Sequence, residues 1–256
     1  MLNILKKPFL PLIQYLGKKK MERAFDREPI IIGGCGRSGT TLLLSILSAH
    51  PSIFAFQREL SVFNYWRGRE GVMEPLRIDR LYREVFIRRI PRSARRWSEK
   101  TPRNVRHIDE IMDYFGGRVK FIHIIRDGRD VVLSRHPDKA GYWIEPPRWV
   151  RDVQEGLKHA SRPNVLTLYY EDLVRHYEDT IGRICDFIGE AFTDSLMNWH
   201  EHASLRASNA WHEGVKKLSD SSVGKWRREE NRRRVEAFMQ HEPARDLLRQ
   251  LGYPMS

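Results

Sequence analysis

The chain is poor in cysteine and has no long uninterrupted apolar run. Only two of its 256 residues are cysteines, Cys35 and Cys185. Two thiols cannot form a disulfide framework and are typical of a reducing compartment, so we expect a cytoplasmic location. The longest apolar run near the start, residues 8–17, is about half the roughly 20 residues that a membrane-spanning helix needs, and it contains two prolines. We therefore expect a soluble protein.

Acidic residues are also in short supply. The chain has 33 Asp and Glu against 45 Lys and Arg, which gives a net charge of +12. Such an excess indicates an anionic partner, and nucleic acid, anionic lipid, an acidic substrate and a phosphate-rich cofactor all fit it. A hydrophobic content of 41% is enough for a buried core and excludes disorder along the whole chain.

The sequence predicts one domain over residues 29–256, preceded by a basic and apolar extension over residues 1–28. No linker divides the chain, and its length suits one large domain. Within the extension, residues 8–17 lie between two groups of lysines. We interpret this segment as a short docking helix with a solvated basic end. The alternative is peripheral membrane contact, with these leucines in anionic lipid: Leu2, Leu5, Leu12 and Leu16.

Three segments share one pattern, in which an apolar run is followed by turn residues and then by a helical pattern. The apolar runs are residues 29–32, 119–125 and 164–169. Short β-rich runs that alternate with helical patterns predict an α/β fold, P-loop-like and three-layered, with a central parallel sheet flanked by helices. The remaining predictions are helical inserts and loops over 53–118 and 136–163, a surface loop over 190–226, and a terminal helix over 229–251 that is broken at Pro243.

A glycine-rich turn between the first predicted strand and helix has the form of a phosphate cradle. Residues 34–41 read Gly-Cys-Gly-Arg-Ser-Gly-Thr-Thr. In this context backbone N–H groups and the helix N-terminus attract an anion. Nucleotide-hydrolysing P-loops carry a lysine where this chain has Thr40, and here the nearest cation is Arg37. No apolar strand ends in an aspartate suited to magnesium; Ile125-Arg126-Asp127 comes closest. Ordinary ATP hydrolysis is therefore not expected.

Residues 36–42, Gly-Arg-Ser-Gly-Thr-Thr-Leu, resemble the 5′-phosphosulfate loop of sulfotransferases that use 3′-phosphoadenosine 5′-phosphosulfate (PAPS). Residues 121–134, Phe-Ile-His-Ile-Ile-Arg-Asp-Gly-Arg-Asp-Val-Val-Leu-Ser, resemble their 3′-phosphate motif. The similarity is to the Arg-Ser-Gly-Thr-Thr type, which includes bacterial, protein-tyrosine and carbohydrate sulfotransferases. It implies that Arg126 and Ser134 hold the 3′-phosphate, with Ser134 two turns into the following helix. It also implies that these loop residues bind the 5′-phosphosulfate: Gly36, Arg37, Ser38, Gly39, Thr40 and Thr41.

Three further segments extend the resemblance to roughly residues 29–228. Residues 97–104 resemble the family's Glu-Lys-x-Pro segment, which implies that Lys100 reaches the transferring sulfuryl group. Residues 169–173 resemble the strand and helix after the 3′-phosphate region and contribute Tyr170 to the cofactor site. Residues 221–227 resemble the C-terminal loop that closes over the nucleotide, which implies roles for Ser222 and Lys225.

The resemblance implies in-line transfer of the sulfuryl group to a hydroxyl, with Arg37, Lys100 and Glu59 as catalytic residues. Arg37 and Lys100 would stabilise the leaving phosphate, and cations supplied in this way need no metal. The family places a catalytic glutamate about twenty residues after the loop, and Glu59 stands there. Alternatively, Glu59 forms a surface ion pair with Arg58 or Arg67. Histidine is the base in other branches, and the candidates are His107 and His123; His123 sits in a strand, and His50 is expected to cap the first helix.

The acceptor is predicted only as a hydroxyl compound: a carbohydrate, a tyrosyl residue, or a small molecule or lipid, with an acidic compound or a glycan suited to the surplus arginines. These aromatic residues are expected to wall its pocket: Trp66, Trp97, Tyr142, Trp143 and Trp149. A P-loop kinase or nucleotide-binding protein with a degenerate loop is the alternative function. A nucleic-acid-binding module is not expected, because the arginine-rich stretch 77–106 contains no recognised motif.

Overall fold

A computed structural model describes residues 10–69, 72–135, 141–205 and 218–255. Five of its strands form a parallel sheet in the order β2-β5-β1-β6-β7, and the other two, β3 and β4, form an antiparallel hairpin. The strands are β1 (Ile30–Gly34), β2 (Ile53–Ala55), β3 (Trp66–Arg69), β4 (Val72–Pro75), β5 (Arg96–Lys100), β6 (Lys120–Ile125) and β7 (Val165–Tyr169).

Helices cover both faces of this sheet. They are α1 (Leu10–Ala24), α2 (Thr40–Leu47), α3 (Ile78–Ile87), α4 (Ile108–Tyr114), α5 (Gly128–Val132), α6 (Pro146–Leu157), α7 (Tyr170–Arg175), α8 (Tyr177–Ile188), α9 (Asp194–Met197), α10 (Trp199–His202), α11 (Arg232–Gln240) and α12 (Glu242–Gln250). Short 3-10 turns lie at Val62–Asn64, Pro102–Arg106, Asp220–Ser222, Lys225–Arg227 and Glu229–Asn231.

The centre of the sheet explains why the strands read as unbroken apolar runs. β1 lies between β5 and β6, and all five of its residues are buried. Ile30 and Ile32 pack with α2 and α8 on one face, whereas Ile31 packs with α3 and α4 on the other. A strand that is buried on both faces has no polar side to alternate with. The predicted three-layer, P-loop-like fold with a central parallel sheet is confirmed.

The N-terminal extension contains a helix that packs on the domain. In α1, Gly17 is buried against α3, where a Cβ would collide with the backbone of Tyr82. The Lys20 ammonium donates to the carbonyls of Phe86 at 3.2 Å and Arg88 at 2.6 Å. Leu12 and Leu16 stay exposed, and Leu2 and Leu5 lie outside the described residues. In the part of the chain that the structure describes, no helix is long and apolar enough to cross a membrane.

Two loop predictions are wrong. The segment expected to be helical inserts and loops, 53–118, contains the sheet strands β2 and β5 as well as the hairpin. The segment expected to be a surface loop, 190–226, contains α9 and α10, whose residues Leu196 and Trp199 are buried in the core. In both segments the secondary structure is determined by burial against residues that are distant in sequence. The local hydrophobic pattern is weak and does not predict it. The predicted break near Pro243 is confirmed, since α11 ends at Gln240 and α12 begins at Glu242.

Candidate active site

The phosphate loop lies at the carboxyl end of β1, where the chain turns sharply into α2. Gly39 has a φ of 95°, and a Cβ there would collide with the ring of Tyr170, so only glycine fits. Arg37 adopts a φ of 71°, which non-glycine residues rarely do. The Ser38 N–H donates to the Cys35 carbonyl at 3.2 Å and closes the turn. Thr40 and Thr41 begin α2 and are buried.

Two polar atoms of this loop are buried without a protein partner among the described residues. They are Arg37 Nε and Ser38 Oγ. Leaving such groups unpaired is costly, and an anion in the cradle would satisfy both. Burial, with a smaller effect from nearby Arg126, lowers the pKa of the Arg37 guanidinium, which also lies over the ring of Trp143 at 5.4 Å. The residues present therefore fit a phosphate or sulfate group.

Arg126 follows β6 directly and joins three segments of the chain. Its Nη1 donates to the Arg37 carbonyl at 3.1 Å and its Nη2 to the Ser222 carbonyl at 2.5 Å. The guanidinium stacks on the Tyr170 ring at 4.4 Å, and the Tyr170 hydroxyl lies 2.6 Å from Ser222 Oγ. Arg126 Nε is buried and has no partner in the ranges that the structure describes. The predicted cofactor residues Arg37, Arg126, Tyr170 and Ser222 are thus brought together.

Ser134 occupies a different position from the one expected for it. Helix α5 ends at Val132 after a little more than one turn, so Ser134 lies beyond the helix. The Ser134 N–H donates to the Val131 carbonyl at 3.1 Å, and the Ser134 carbonyl accepts from the Trp143 N–H at 3.0 Å. The prediction of two helical turns is wrong, because the chain after Val132 pairs instead with Tyr142 and Trp143.

The C-terminal loop, residues 218–228, is fastened by Asp130, a residue that the sequence reasoning missed. Asp130 Oδ2 accepts from the Gly224 N–H at 2.7 Å and Oδ1 from the Trp226 N–H at 2.9 Å. Burial raises the pKa of Asp130. Lys225 lies in the same loop, and burial together with Arg126 lowers its pKa. The only available signal was the second acidic residue of the Arg-Asp-Gly-Arg-Asp run.

Lys100 and Glu59 form an ion pair at the end of β5. Lys100 Nζ donates to Glu59 Oε1 at 2.5 Å, and the side chains are 6% and 48% exposed, respectively. A buried cation thus holds a carboxylate that remains open to solvent. The alternative of a surface pair between Glu59 and Arg58 or Arg67 is wrong, because those arginines pair with Glu84 and Glu74.

The histidines considered as bases have other contacts. His123 is fully buried beneath Gly156 of α6, and burial lowers its pKa to about 3. His50 does not cap α2 with its side chain: its ring bonds Ser52 Oγ at 2.8 Å and the Ala191 carbonyl at 3.1 Å. His107 lies beside Glu110 at 3.4 Å. Glu59 is therefore the candidate base that contacts another predicted site residue.

The aromatic residues expected around the acceptor pocket divide into two groups. Trp97 and Trp149 are core residues, 3% and 0% exposed, so their assignment to the pocket wall is wrong. Trp149 instead donates from its indole N–H to the Arg126 carbonyl at 3.0 Å. Trp143 lies beside Arg37 at the phosphate loop, whereas Trp66 stacks on Phe63 at 5.9 Å. Tyr142 is partly exposed beneath the Arg234 guanidinium.

Arg148 is a further cation at the loop that the sequence reasoning missed. Its Nη2 would lie 3.4 Å from a Cβ built on Gly36, and its Nε is buried with no hydrogen-bond partner among the residues described. Asp152, one turn along α6, lies 3.6 Å from Arg148 and also accepts from Arg106 at 2.6 Å. No sequence motif marks Arg148. Its position depends on how α6 crosses the end of the sheet.

Curated relatives support one family. A family model described as "Sulfotransferase family" matches residues 29–194. A protein-tyrosine sulfotransferase of Drosophila melanogaster is 27% identical over 208 residues, covering 70% of this chain and 42% of the relative. Protein-tyrosine sulfotransferase A of Caenorhabditis elegans is 26% identical over 223 residues, covering 76% of this chain and 57% of the relative. The chain thus spans about half the length of these relatives.

Solved structures show the same fold at lower identity. The sulfotransferase domain from the curacin biosynthetic pathway has a TM-score of 0.55 at 16% identity, covering 91% of this chain and 100% of that chain. Mouse sulfotransferase SULT7A1, complexed with PAP, has a TM-score of 0.53 at 16% identity, covering 92% of this chain and 93% of that chain. Since the family model matches well over half of its residues, the chain belongs to the sulfotransferase family.

Proposed function

We propose that the protein is a PAPS-dependent sulfotransferase that acts on a hydroxyl group. The observation that carries this proposal is the hydrogen bond from Arg126 to the Arg37 carbonyl. It brings the candidate 3′-phosphate site next to the candidate 5′-phosphosulfate loop. Within the described part of the chain, both arginines keep a buried Nε without a partner, and these donors suit the two phosphates of one nucleotide. A similar solved sulfotransferase is complexed with PAP, which supports the same ligand class.

The phosphate loop would hold the reacting end of the nucleotide. Arg37, together with the hydroxyls of Ser38, Thr40 and Thr41, supplies donors at the N-terminus of α2. Gly36 and Gly39 would contribute backbone N–H donors from the same loop. Arg126, Ser134, Tyr170, Ser222 and Lys225 would hold the 3′-phosphate end. PAPS supplies an activated sulfuryl group whose leaving group is adenosine 3′,5′-bisphosphate.

Glu59 would act as the general base and Lys100 as the cation at the transferring group. The Glu59 carboxylate takes the proton of the acceptor hydroxyl, whose oxygen forms a new bond to sulfur while the bond from sulfur to the 5′-phosphate oxygen breaks. Lys100 contacts Glu59 from the buried side and would place its positive charge beside the transferring group. Arg37 and Lys100 balance the negative charge that develops on the leaving oxygen, so this scheme requires no metal.

A tyrosyl hydroxyl is the acceptor that we propose first. The relatives reported above are named protein-tyrosine sulfotransferases, and a half-exposed Glu59 carboxylate is open to a side chain presented from outside. Carbohydrate and small-molecule or lipid hydroxyls are the other acceptor classes to be tested. We also propose a cytoplasmic, reducing compartment, with which the two buried free thiols Cys35 and Cys185 are compatible.

A thermal-shift experiment tests the nucleotide assignment. Adenosine 3′,5′-bisphosphate should raise the melting temperature, whereas ATP with Mg²⁺ should leave it nearly unchanged. Stabilisation by ATP with Mg²⁺ alone would favour the degenerate P-loop kinase and would overturn the proposal. Transfer of labelled sulfuryl from PAPS to a panel of tyrosyl peptides, sugars and phenols would then identify the acceptor class.

A further inference from the structure

Glu99 is a buried carboxylate next to Lys100 for which the proposed mechanism gives no role. It is 0% exposed and lies in β5, paired in register with Ile31 of β1. Burial raises the pKa of Glu99, and the hydrogen bonds that it accepts oppose this shift. A carboxylate is costly at such a position unless every acceptor is used.

The hydrogen bonds of Glu99 lead to the segment that carries Glu59. Glu99 Oε1 accepts from the Leu60 N–H at 3.3 Å and from the Thr101 hydroxyl at 2.5 Å, and Oε2 accepts from Asn104 Nδ2 at 2.8 Å. The hydrogen-bond partners of Glu99 thus come from two segments. One is Leu60, the residue after Glu59, and the others lie just after β5.

The same segment is fixed at two more points. Thr101 Oγ1 accepts from the Ser61 N–H at 3.2 Å, and Arg80 Nη1, from α3, donates to the Leu60 carbonyl at 3.0 Å. Ser61 has a φ of 50°, a left-handed conformation that costs energy for a serine and persists where surrounding contacts enforce it. Leu60 is itself buried, at 2% exposure, whereas Glu59 projects outward.

We propose that Glu99, Thr101 and Arg80 are positioning residues that lock the backbone at residues 60–61 and thereby hold the Glu59 carboxylate against Lys100. The inference rests on the proposed role of Glu59 as base. The strand that provides Lys100 also provides, through Glu99, the acceptor that fixes the base. The distance between Lys100 and Glu59 is therefore set by β5 and not by the ion pair alone. Misplacement of a catalytic group by about 1 Å is enough to slow a reaction by about a hundredfold.

Two pairs of variants test the positioning role through separate contacts. Thr101→Val removes the acceptor for the Ser61 N–H with little change of shape, and Thr101→Ser keeps it. Arg80→Met removes the donor to Leu60 at a half-buried position, where folding is less at risk, and Arg80→Lys keeps a cation. We expect kcat to fall about tenfold in Thr101→Val and about threefold in Arg80→Met. The Kd for adenosine 3′,5′-bisphosphate should change less than twofold, and Thr101→Ser should restore kcat.

A double-mutant cycle with Glu59→Gln separates positioning from a general structural defect. If the contacts act through the Glu59 carboxylate, Thr101→Val and Arg80→Met should cost almost nothing further in the Glu59→Gln background. Equal losses in both backgrounds, or wild-type kcat in Arg80→Met and Thr101→Val, would overturn the inference. A Glu59→Gln enzyme with wild-type kcat would instead overturn the assignment of the base and the inference with it. Absence of bisphosphate binding in the wild-type protein would refute the proposed function itself.

Discussion

Arg126 joins distant segments of the chain and keeps one donor for the proposed ligand. Its two terminal nitrogens donate to backbone carbonyls 89 and 96 residues away in sequence, while Nε has no partner among the described residues. The Arg126 guanidinium is therefore already oriented for a phosphate that binds near Tyr170. Preorganisation of this kind lowers the entropy cost of binding.

Replacement of Arg126 by alanine is expected to weaken binding of adenosine 3′,5′-bisphosphate by about 2–4 kcal/mol, the loss typical of charge-assisted hydrogen bonds. Isothermal titration calorimetry would measure it. Arg118→Ala is a matched control, since it removes the same charge from an exposed position at the opposite end of β6. Normal affinity in Arg126→Ala would show that the 3′-phosphate binds elsewhere.

His123 makes the stability of the fold dependent on pH. Burial, with a smaller effect from His159, holds its pKa at about 3, against 6.5 in an unfolded chain. Between these values the unfolded state binds a proton that the folded state does not. The free energy of unfolding should therefore fall as the pH drops below about 6.5, by up to about 1.4 kcal/mol per pH unit.

Urea unfolding of wild type and His123→Leu at pH 7.5, 6 and 5 tests this dependence. The variant should lose less stability than wild type over the same interval, because the remaining histidines are common to both proteins. Parallel pH profiles would mean that His123 takes up its proton in the folded state.

At the level of elements, the C-terminal loop is attached to α5, because Asp130 in that helix accepts hydrogen bonds from two backbone N–H groups of the loop. Asp130→Ala should release the N–H groups of Gly224 and Trp226. We expect about tenfold weaker bisphosphate binding and faster amide hydrogen exchange across residues 218–228. Asp220→Ala, an exposed carboxylate in the same loop, is the control. Unchanged exchange in Asp130→Ala would show that the loop is held by other contacts.

Elements with strong local patterns were predictable, and those defined by distant partners were not. The apolar runs of β1 and β6 were predicted correctly because both sheet faces bury them, and that of the edge strand β7 because Val165 and Leu168 are buried. β5 reads Arg-Trp-Ser-Glu-Lys and shows no apolar period, yet it is fully buried. Two of its charged side chains have partners far away in sequence: Arg96 pairs with Glu190, and Glu99 accepts from the Leu60 N–H. A single sequence does not show such pairs.

The same division holds within the site. Arg37, Lys100 and Glu59 were identified by their places in motifs, and the structure brings Lys100 and Glu59 into contact. Asp130 and Arg148 were missed because they act on segments that meet only after folding. Motif spacing identifies the residues proposed to contact the ligand, whereas residues that hold the loops in place have no fixed spacing.

At the scale of the whole molecule, the exposed face of α1 predicts contact with anionic membranes. Leu12, Tyr15 and Leu16 are 53%, 58% and 40% exposed, and exposed Lys18 and Arg23 follow them. Apolar side chains beside cations suit the interface of an anionic bilayer. Vesicles containing phosphatidylserine should bind the protein more weakly as salt is added.

The double variant Leu12→Ser, Leu16→Ser should reduce this vesicle binding by about tenfold or more, since burying one leucine contributes about 1.5–3 kcal/mol. Phe192→Ser, which alters an exposed apolar residue between α8 and α9, should bind like wild type. If wild type and both variants bound the vesicles equally, α1 would not be the membrane contact, and its role would be limited to packing against α3.

The order of strands in the sheet has a consequence for synthesis on the ribosome. β1 ends at residue 34, but its two neighbours end at residues 100 and 125, so about 90 residues must emerge before its second edge is paired. At roughly 5–20 residues per second this takes several seconds or more. During that time an Ile-Ile-Ile strand has no complete sheet to join. A nascent chain of this protein should therefore depend on chaperones until β6 has left the exit tunnel.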